Sequence, residues 1–308
     1  MNNTRSFSLY LFLFIGVFAL STSAIFVKLS SAPAPIIATY RMMFSTFLLL
    51  PMLFLQKGTF QEIQNLTRKQ WLLGSLSGAF LAFHYGLWFE SLHFTSVASS
   101  TVFVTLQPLF AFIGGYFLFG EKLKGFAIGG GILALVGSFI IGWGDFKIGG
   151  QALFGDMLAL LGAVTITVYF FIGQYLRKVL SLITYALIAY STSALFLLGY
   201  SLILGYPLTG YPSSDWMCFL GLAFISTILG QTILNWLIKW LNTSTISMSI
   251  LGEPIGTCIL AYFILGEVVT TQQLIGSSII LFGIFLFLRY NQPVEKSKEL
   301  KLNSNVEN

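Results

Sequence analysis

Polar residues interrupt this chain only at intervals, and between them run ten segments that are apolar on every helical face. They extend from Phe7 to Val27, Ala34 to Leu55, Trp71 to Leu92, Val97 to Phe119, Gly125 to Trp143, Leu153 to Leu176, Leu180 to Leu204, Trp216 to Ile238, Thr245 to Leu265 and Leu274 to Leu288. A helix needs about 20 apolar residues to cross a bilayer, and each segment approaches that length. A β-barrel would instead show alternating strands of about ten residues. The pattern predicts an all-α membrane protein with ten transmembrane helices. The first segment carries small residues at 19–24 that loosely suit a cleavage site, but it stays apolar through Ile25, Phe26 and Val27, so it is expected to be a retained helix.

Aligning residue n with residue n + 146 pairs the two halves without a gap over most of their length. Pro108 meets Pro254, Tyr116-Phe117 meets Tyr262-Phe263, and Gly120-Glu121 meets Gly266-Glu267. Gly16 meets Gly162, Gly130 meets Gly276, and Gly137 meets Gly283. Five helices is an odd number, so the halves must cross the membrane in opposite senses. The expected organisation is two inverted five-helix repeats, residues 1–146 and 147–290, followed by a charged tail at 291–308. Inverted repeats point to secondary transporters with a site near the bilayer midplane; duplication that builds a channel or scaffold is the alternative.

Composition agrees with the pattern: 56% of residues are hydrophobic and 9% charged, with mean hydropathy +0.84, whereas soluble domains carry about 25% charged residues. The net charge of +5 does not suggest nucleic acid, because the basic residues are strung along the chain without clustering. They read as topology signals. With the N-terminus inside, Arg5, Lys57, Arg68, Lys69, Lys122, Lys124, Arg177, Lys178, Lys239, Arg289, Lys296, Lys298 and Lys301 are cytoplasmic, and only Lys28 and Lys147 lie outside. The expected location is the cell membrane with both termini cytoplasmic. Cys218 and Cys258 lie in apolar runs, and two histidines, His84 and His93, are too few for metal chemistry, so neither a metal nor a cofactor is expected.

The stretch Thr105-Leu-Gln-Pro-Leu-Phe-Ala, ending in Leu118-Phe-Gly-Glu121, and its counterpart Leu251-Gly-Glu-Pro-Ile-Gly, ending in Ile264-Leu-Gly-Glu267, resemble the fourth and ninth helices of EamA-type proteins of the drug/metabolite transporter superfamily. Tyr40-Arg41 and the run from Gln273-Leu-Ile-Gly276 to Gly283 extend the resemblance over most of the chain. It implies a ten-helix inverted-repeat fold with a central cavity and export of amino acids or other small metabolites.

Several residues could carry chemistry. Pro108 and Pro254 fall mid-helix, where each removes a hydrogen bond and displaces a carbonyl, that of Val104 or Ile250; they read as paired hinges or as static kinks. Glu253, just before Pro254, is the acid deepest in an apolar run and reads as a substrate-amine or proton-coupling group, or as a protonated lock on the kink. Its repeat counterpart is Gln107. Arg41 looks shallow enough to snorkel, with substrate binding or helix anchoring as its roles. His84 suits a proton relay, a cavity ligand or a structural hydrogen bond, with Trp88 one turn on. Gln231 and Asn235, four residues apart, share a helix face unsuited to lipid. Glu121 and Glu267 end their helices ahead of the next and read as helix caps or as gates on opposite sides. Gly74 with Gly78, and Gly125 with Gly129, have the spacing of close helix contacts.

The predicted function is a secondary transporter, in the export direction, of small organic metabolites such as amino acids, working by alternating access through a central cavity. The alternative is a channel-like passive facilitator of the same fold. Only Arg41 is an intramembrane cation, which disfavours phosphorylated substrates. No Walker A motif, HExxH or paired-Asp constellation appears, so an enzyme is not expected. The expected partners are a small-molecule substrate, with proton coupling as an option, and the lipid bilayer, with no nucleic acid; the chain is expected as a monomer or homodimer.

Overall fold

The computed structural model describes residues 3–95, 97–142, 150–266 and 268–291. Among these the secondary structure is helical throughout. Helices α1 (Asn3–Leu29) and α2 (Ala34–Leu55) cross the membrane, and a short α3 (Thr59–Gln64) precedes α4 (Arg68–Phe94). The fourth crossing is made of two half-helices, α5 (Val97–Val104) and α6 (Gln107–Phe119), and the fifth is α7 (Gly125–Gly142). In the second half, α8 (Gly150–Leu176) and α9 (Leu182–Ile203) are continuous. The eighth crossing joins α10 (Ser213–Gly221), a wide-turned π-helical stretch (Leu222–Gln231) and α11 (Thr232–Leu237). The ninth joins α12 (Thr243–Ile250), α13 (Glu253–Leu260) and a π-helical turn (Ala261–Leu265), and α14 (Thr271–Tyr290) completes the set. Nine of these spans are long and apolar enough to cross a bilayer, and α7 is a shorter tenth. The expected boundary at 146/147, Lys147, Glu267 and the tail beyond Asn291 lie outside the described residues.

Local sequence sets where the spans begin and end. Thr67 and Gln70 form a reciprocal capping box at the start of α4, and Thr270 with Gln273 forms another at α14. Ser181 and Asn242 cap α9 and α12 through Thr184 N–H and Thr245 N–H. The repeated Gly-Glu pair explains its glycine: Gly120 (φ 64°) and Gly266 (φ 69°) end the fourth and ninth spans in the left-handed region, which only glycine enters at little cost.

Ten crossings return the chain to the side on which it began, so both ends share one face, the terminal face, opposite the distal face. The packing displays the inverted repeat. Helix α4 lies on α8 as α1 lies on the Leu222–Gln231 stretch, and α6 lies on α8 as α13 lies on α1. Two contacts are their own counterparts, α2 on α9 and α7 on α14. At the second of these the repeat-related glycines interlock: a Cβ on Gly130 would stand 2.7 Å from Gly283 O, and one on Gly137 would stand 2.7 Å from Gly276 O. Gly74 and Gly78 likewise let α4 press on α9, where a Cβ on Gly78 would run into Ala189 O. Gly125 and Gly129 do not follow the expectation, since nothing lies within 4 Å of either. Large apolar side chains such as Phe14, Leu195, Ile203 and Phe263 stay exposed on the outer surface, as lipid-facing positions require.

Candidate functional site

The two broken crossings meet at the centre of the fold. Each break falls just ahead of its proline rather than at it. Leu106 N–H bonds Phe103 O and Leu109 N–H bonds Leu106 O; the related Gly252 N–H bonds Ser249 O and Ile255 N–H bonds Gly252 O. A tight three-residue turn thus separates the half-helices in both repeats. Pro108 and Pro254 sit in the first turn of α6 and α13, where a missing N–H costs nothing. The mid-helix kink expected from sequence is therefore a helix restart, which aims two half-helix N-termini, led by Gln107 and Glu253, at the interior.

A narrow cavity with about 360 Å³ of non-atom space lies between them, lined by Arg41, His84, Tyr85, Trp88, Gln107, Gln231 and Glu253 together with Ser23, Leu20, Val104, Ile166, Phe170 and Ile250. Six of the seven residues expected from sequence to touch substrate or protons converge here: Glu253, Gln107, His84, Trp88, Gln231 and Arg41. Asn235 does not. It is fully buried one turn from Gln231, but its Nδ2 donates to the hydroxyls of Tyr169 (2.5 Å) and Tyr190 (3.1 Å), away from the cavity lining. Both amides are buried away from lipid, and the one turn of helix between them carries Asn235 past the cavity lining.

Arg41 does not snorkel. It is 1% exposed; Nε donates to Thr227 Oγ1 (2.9 Å), Nη1 donates to Ser23 Oγ (2.7 Å), and the guanidinium carbon stands 4.1 Å from the Tyr85 ring centroid. The π-helical stretch carries Thr227 to it, so a wide turn supplies part of the arginine's anchorage. Buried guanidinium needs such partners, and a cation over an aromatic face is further stabilised.

His84 Nδ1 lies 3.0 Å from Gly162 O, which assigns the proton to Nδ1 and leaves Nε2 as an acceptor in the neutral ring. Its ring stacks on Trp88 with centroids 5.8 Å apart. Four lining residues hold a buried polar atom without a protein partner: donors Trp88 Nε1 and Gln231 Nε2, acceptor Gln107 Oε1, and the Tyr85 hydroxyl. An unpaired buried polar atom costs about 1–3 kcal/mol, so four around one space mark a surface suited to a polar solute. Cation, carboxyl group, unpaired amides and flat rings together suit a small zwitterion with an apolar or aromatic part.

On the distal side of the cavity a vestibule with about 530 Å³ of non-atom space lies between α1, α5, α13 and α14, lined by Ala24, Lys28, Thr101, Pro254, Thr257 and Cys258 among others. Its repeat-related counterpart towards the terminal face is sealed. Glu121 Oε1 accepts from Gln174 Nε2 (3.1 Å) and Oε2 from Ser244 Oγ (2.5 Å), while Gln174 Oε1 accepts from Thr243 N–H and Oγ1, both at 2.6 Å. The rings of Phe112 and Phe287 stack at 5.5 Å and those of Phe119 and Phe171 lie 5.7 Å apart; their counterparts at the open end are Cys258, Ile141, Leu265 and Ile25. Glu121 is thus spent on bridging the fourth, sixth and ninth crossings, not on capping α7. Gln174 was not singled out from sequence, although its counterpart, Lys28, lines the open vestibule. The expected counterpart role of Glu267 lies outside the described residues.

The sequence model of the EamA-like transporter family matches the chain twice, over residues 7–143 and 153–289. The chain belongs to the EamA-like transporter family. Its relatives include an uncharacterized transporter of Clostridium kluyveri, 24% identical with 70% of each chain covered. Another is the uncharacterized transporter YoaV of Bacillus subtilis, 24% identical over 66% of this chain and 70% of that one. A protein known from its crystal structure superposes with a TM-score of 0.74 at 20% identity, covering 92% of this chain and 96% of its own; that likeness concerns the fold. This EamA-like chain is a multi-pass membrane transporter with ten helices in two inverted five-helix repeats.

Proposed function

We propose that this EamA-like protein is a secondary transporter that exports a small zwitterionic metabolite of the amino-acid class by alternating access. The observation that carries the reading is the unequal state of two repeat-related openings around one cavity: the distal vestibule is open, and the terminal one is latched by Glu121 and its partners. Two pseudo-equivalent halves supply two states of similar energy, interconverted by exchanging their conformations. The two helix restarts at Pro108 and Pro254 act as the hinges. In the cavity, Arg41 faces the solute's carboxylate, Glu253 faces its ammonium group or a proton, and Trp88, Tyr85 and Phe170 wall its apolar part. Glu121, bonded across three crossings, acts as the terminal gate. The excess of basic residues on the terminal-face loops supports a cytoplasmic terminal face in the cell membrane.

The test is uptake of a labelled metabolite panel into proteoliposomes, with and without an imposed pH gradient, for wild type and Glu253→Gln. Saturable, counterflow-stimulated flux whose pH dependence disappears in Glu253→Gln is expected. Flux without saturation or counterflow would establish a passive facilitator instead, and an unchanged pH dependence with unchanged affinity would remove Glu253 from the mechanism.

A further inference from the structure

A groove with about 1290 Å³ of space opens towards lipid between α1 and α14, in the terminal half of the membrane. Its floor is the broken ninth crossing at Ser249, Gly252 and Gly256, and its mouth carries Tyr10 and Arg289. From Tyr10 to Ser21 it follows about 16 Å of helix at 1.5 Å per residue, which is half of the roughly 30 Å hydrocarbon core. It therefore spans one leaflet.

The inverted repeat shows that this groove is particular to the second half. The positions related to Ser249, Gly252 and Gly256 are Phe103, Leu106 and Phe110, so three bulky side chains stand where the groove has small ones. The Phe103 ring also meets that of Phe139 edge-on at 6.2 Å. At the mouth, exposed Arg289 lies over the rim, its guanidinium 5.9 Å from the Phe285 ring. A second lipid-facing groove, with about 1620 Å³ of space between α4, α8 and α9, is lined by Glu90 and, among the described residues, by no basic one. Apolar walls, one-leaflet length and, among the described residues, a single cation at the interfacial end are the features of a phospholipid seat.

We propose that the groove between α1 and α14 seats one acyl chain of an anionic phospholipid from the leaflet at the terminal face, with the headgroup phosphate on Arg289. The chain lies directly behind the Leu251–Gly252 break, on the far side of α12 and α13 from the cavity. Its presence therefore bears on how freely that break can change.

The full chain in phosphatidylcholine nanodiscs would be photolabelled with phosphatidylglycerol or phosphatidylcholine carrying the same diazirine acyl chain, and adducts mapped by peptide mass spectrometry. Adducts are expected on residues 13–18 and 281–288, with phosphatidylglycerol favoured about fivefold, the factor supplied by one basic residue near an anionic headgroup. Arg289→Gln, an exposed substitution, is expected to bring the two lipids to parity without moving the adducts, and Ser249→Phe to deplete them. The groove beside Glu90 should show no preference for phosphatidylglycerol. Adducts spread evenly over all lipid-facing helices, an anionic preference that survives Arg289→Gln, or protection of the groove by a second copy of the chain would each overturn the proposal.

Discussion

Gly283→Ala is expected to loosen the whole fold through one methyl group. A Cβ at this position would lie 2.6 Å from Gly130 O and from Ala134 N, roughly 0.8 Å short of the 3.4 Å at which ordinary contact begins. Both obstructing atoms are backbone, so no rotamer change relieves them and α7 and α14 must part. Overpacking of this kind costs about 1–3 kcal/mol, against a gain of roughly 0.5–1 kcal/mol from replacing glycine with alanine inside a helix, for a net loss of about 1–2 kcal/mol. Gly129→Ala, at the residue next to Gly130 but on a face where a Cβ would meet nothing within 4 Å, keeps the gain without the clash. Thermal denaturation of detergent-solubilised protein, followed by the fraction that stays monodisperse on size exclusion, compares the two. Gly283→Ala should melt several degrees below wild type and Gly129→Ala at or above it. Because Gly130 and Gly283 share one contact, the double Ala variant should lose less than the two single losses added together. Equal melting of Gly283→Ala and wild type would refute the claim that this crossing is closed to a side chain.

Other substitutions test other parts of the fold. Thr67→Ala removes the acceptor for Gln70 N–H and one half of a capping box, and should cost about 1 kcal/mol in the same melting assay. Asp215→Ala deprives Ser31 of acceptors for both its N–H (2.9 Å) and its hydroxyl (2.8 Å); proteolysis at the distal face between α1 and α2 should accelerate. In a background with Cys218 and Cys258 replaced by Ser, Glu121→Ala should speed maleimide labelling of Ala111→Cys, a buried position whose carbonyl accepts from Ser244; unchanged labelling would show that the aromatic rings alone hold the seal. Asn235→Leu should destabilise by about 1 kcal/mol, in the range of polar contacts between membrane helices, because it removes a donor from each of two tyrosine hydroxyls.

The sequence made the repeat legible because Pro, Gly and Glu are costly in lipid and recur only where the backbone needs them. Gly120 and Gly266 end spans, and Pro108 and Pro254 restart them. Six cavity residues were legible for a related reason, as polar groups in apolar runs. What escaped depended on partners from other helices. Arg41 looked shallow by its place along α2, but Ser23 and Thr227, on two other spans, hold it inside. Gln174 gave no signal of its own, since its importance comes from Glu121 and Thr243. The wide turns at Leu222–Gln231, which bring Thr227 to Arg41, left no periodic mark in an all-apolar segment. Gly125-xxx-Gly129 had the right spacing on a face that meets no neighbour.

The interlocked glycines of α7 and α14 have a thermodynamic consequence of their own. Under the proposed alternating access, a contact that the pseudo-twofold maps onto itself is the same whether one half or the other adopts the open form. Loosening it raises the free energy of both forms alike and leaves their ratio untouched. The contacts of α13 on α1 and of α6 on α8 are different, because the pseudo-twofold exchanges them and each can be weighted separately. Ser21 illustrates this: its hydroxyl donates to Glu253 O (3.1 Å), whereas the related residue is Thr167, bonded to Ala163 O. Direction can therefore be tuned only at such off-axis pairs, where the two halves have drifted apart in sequence.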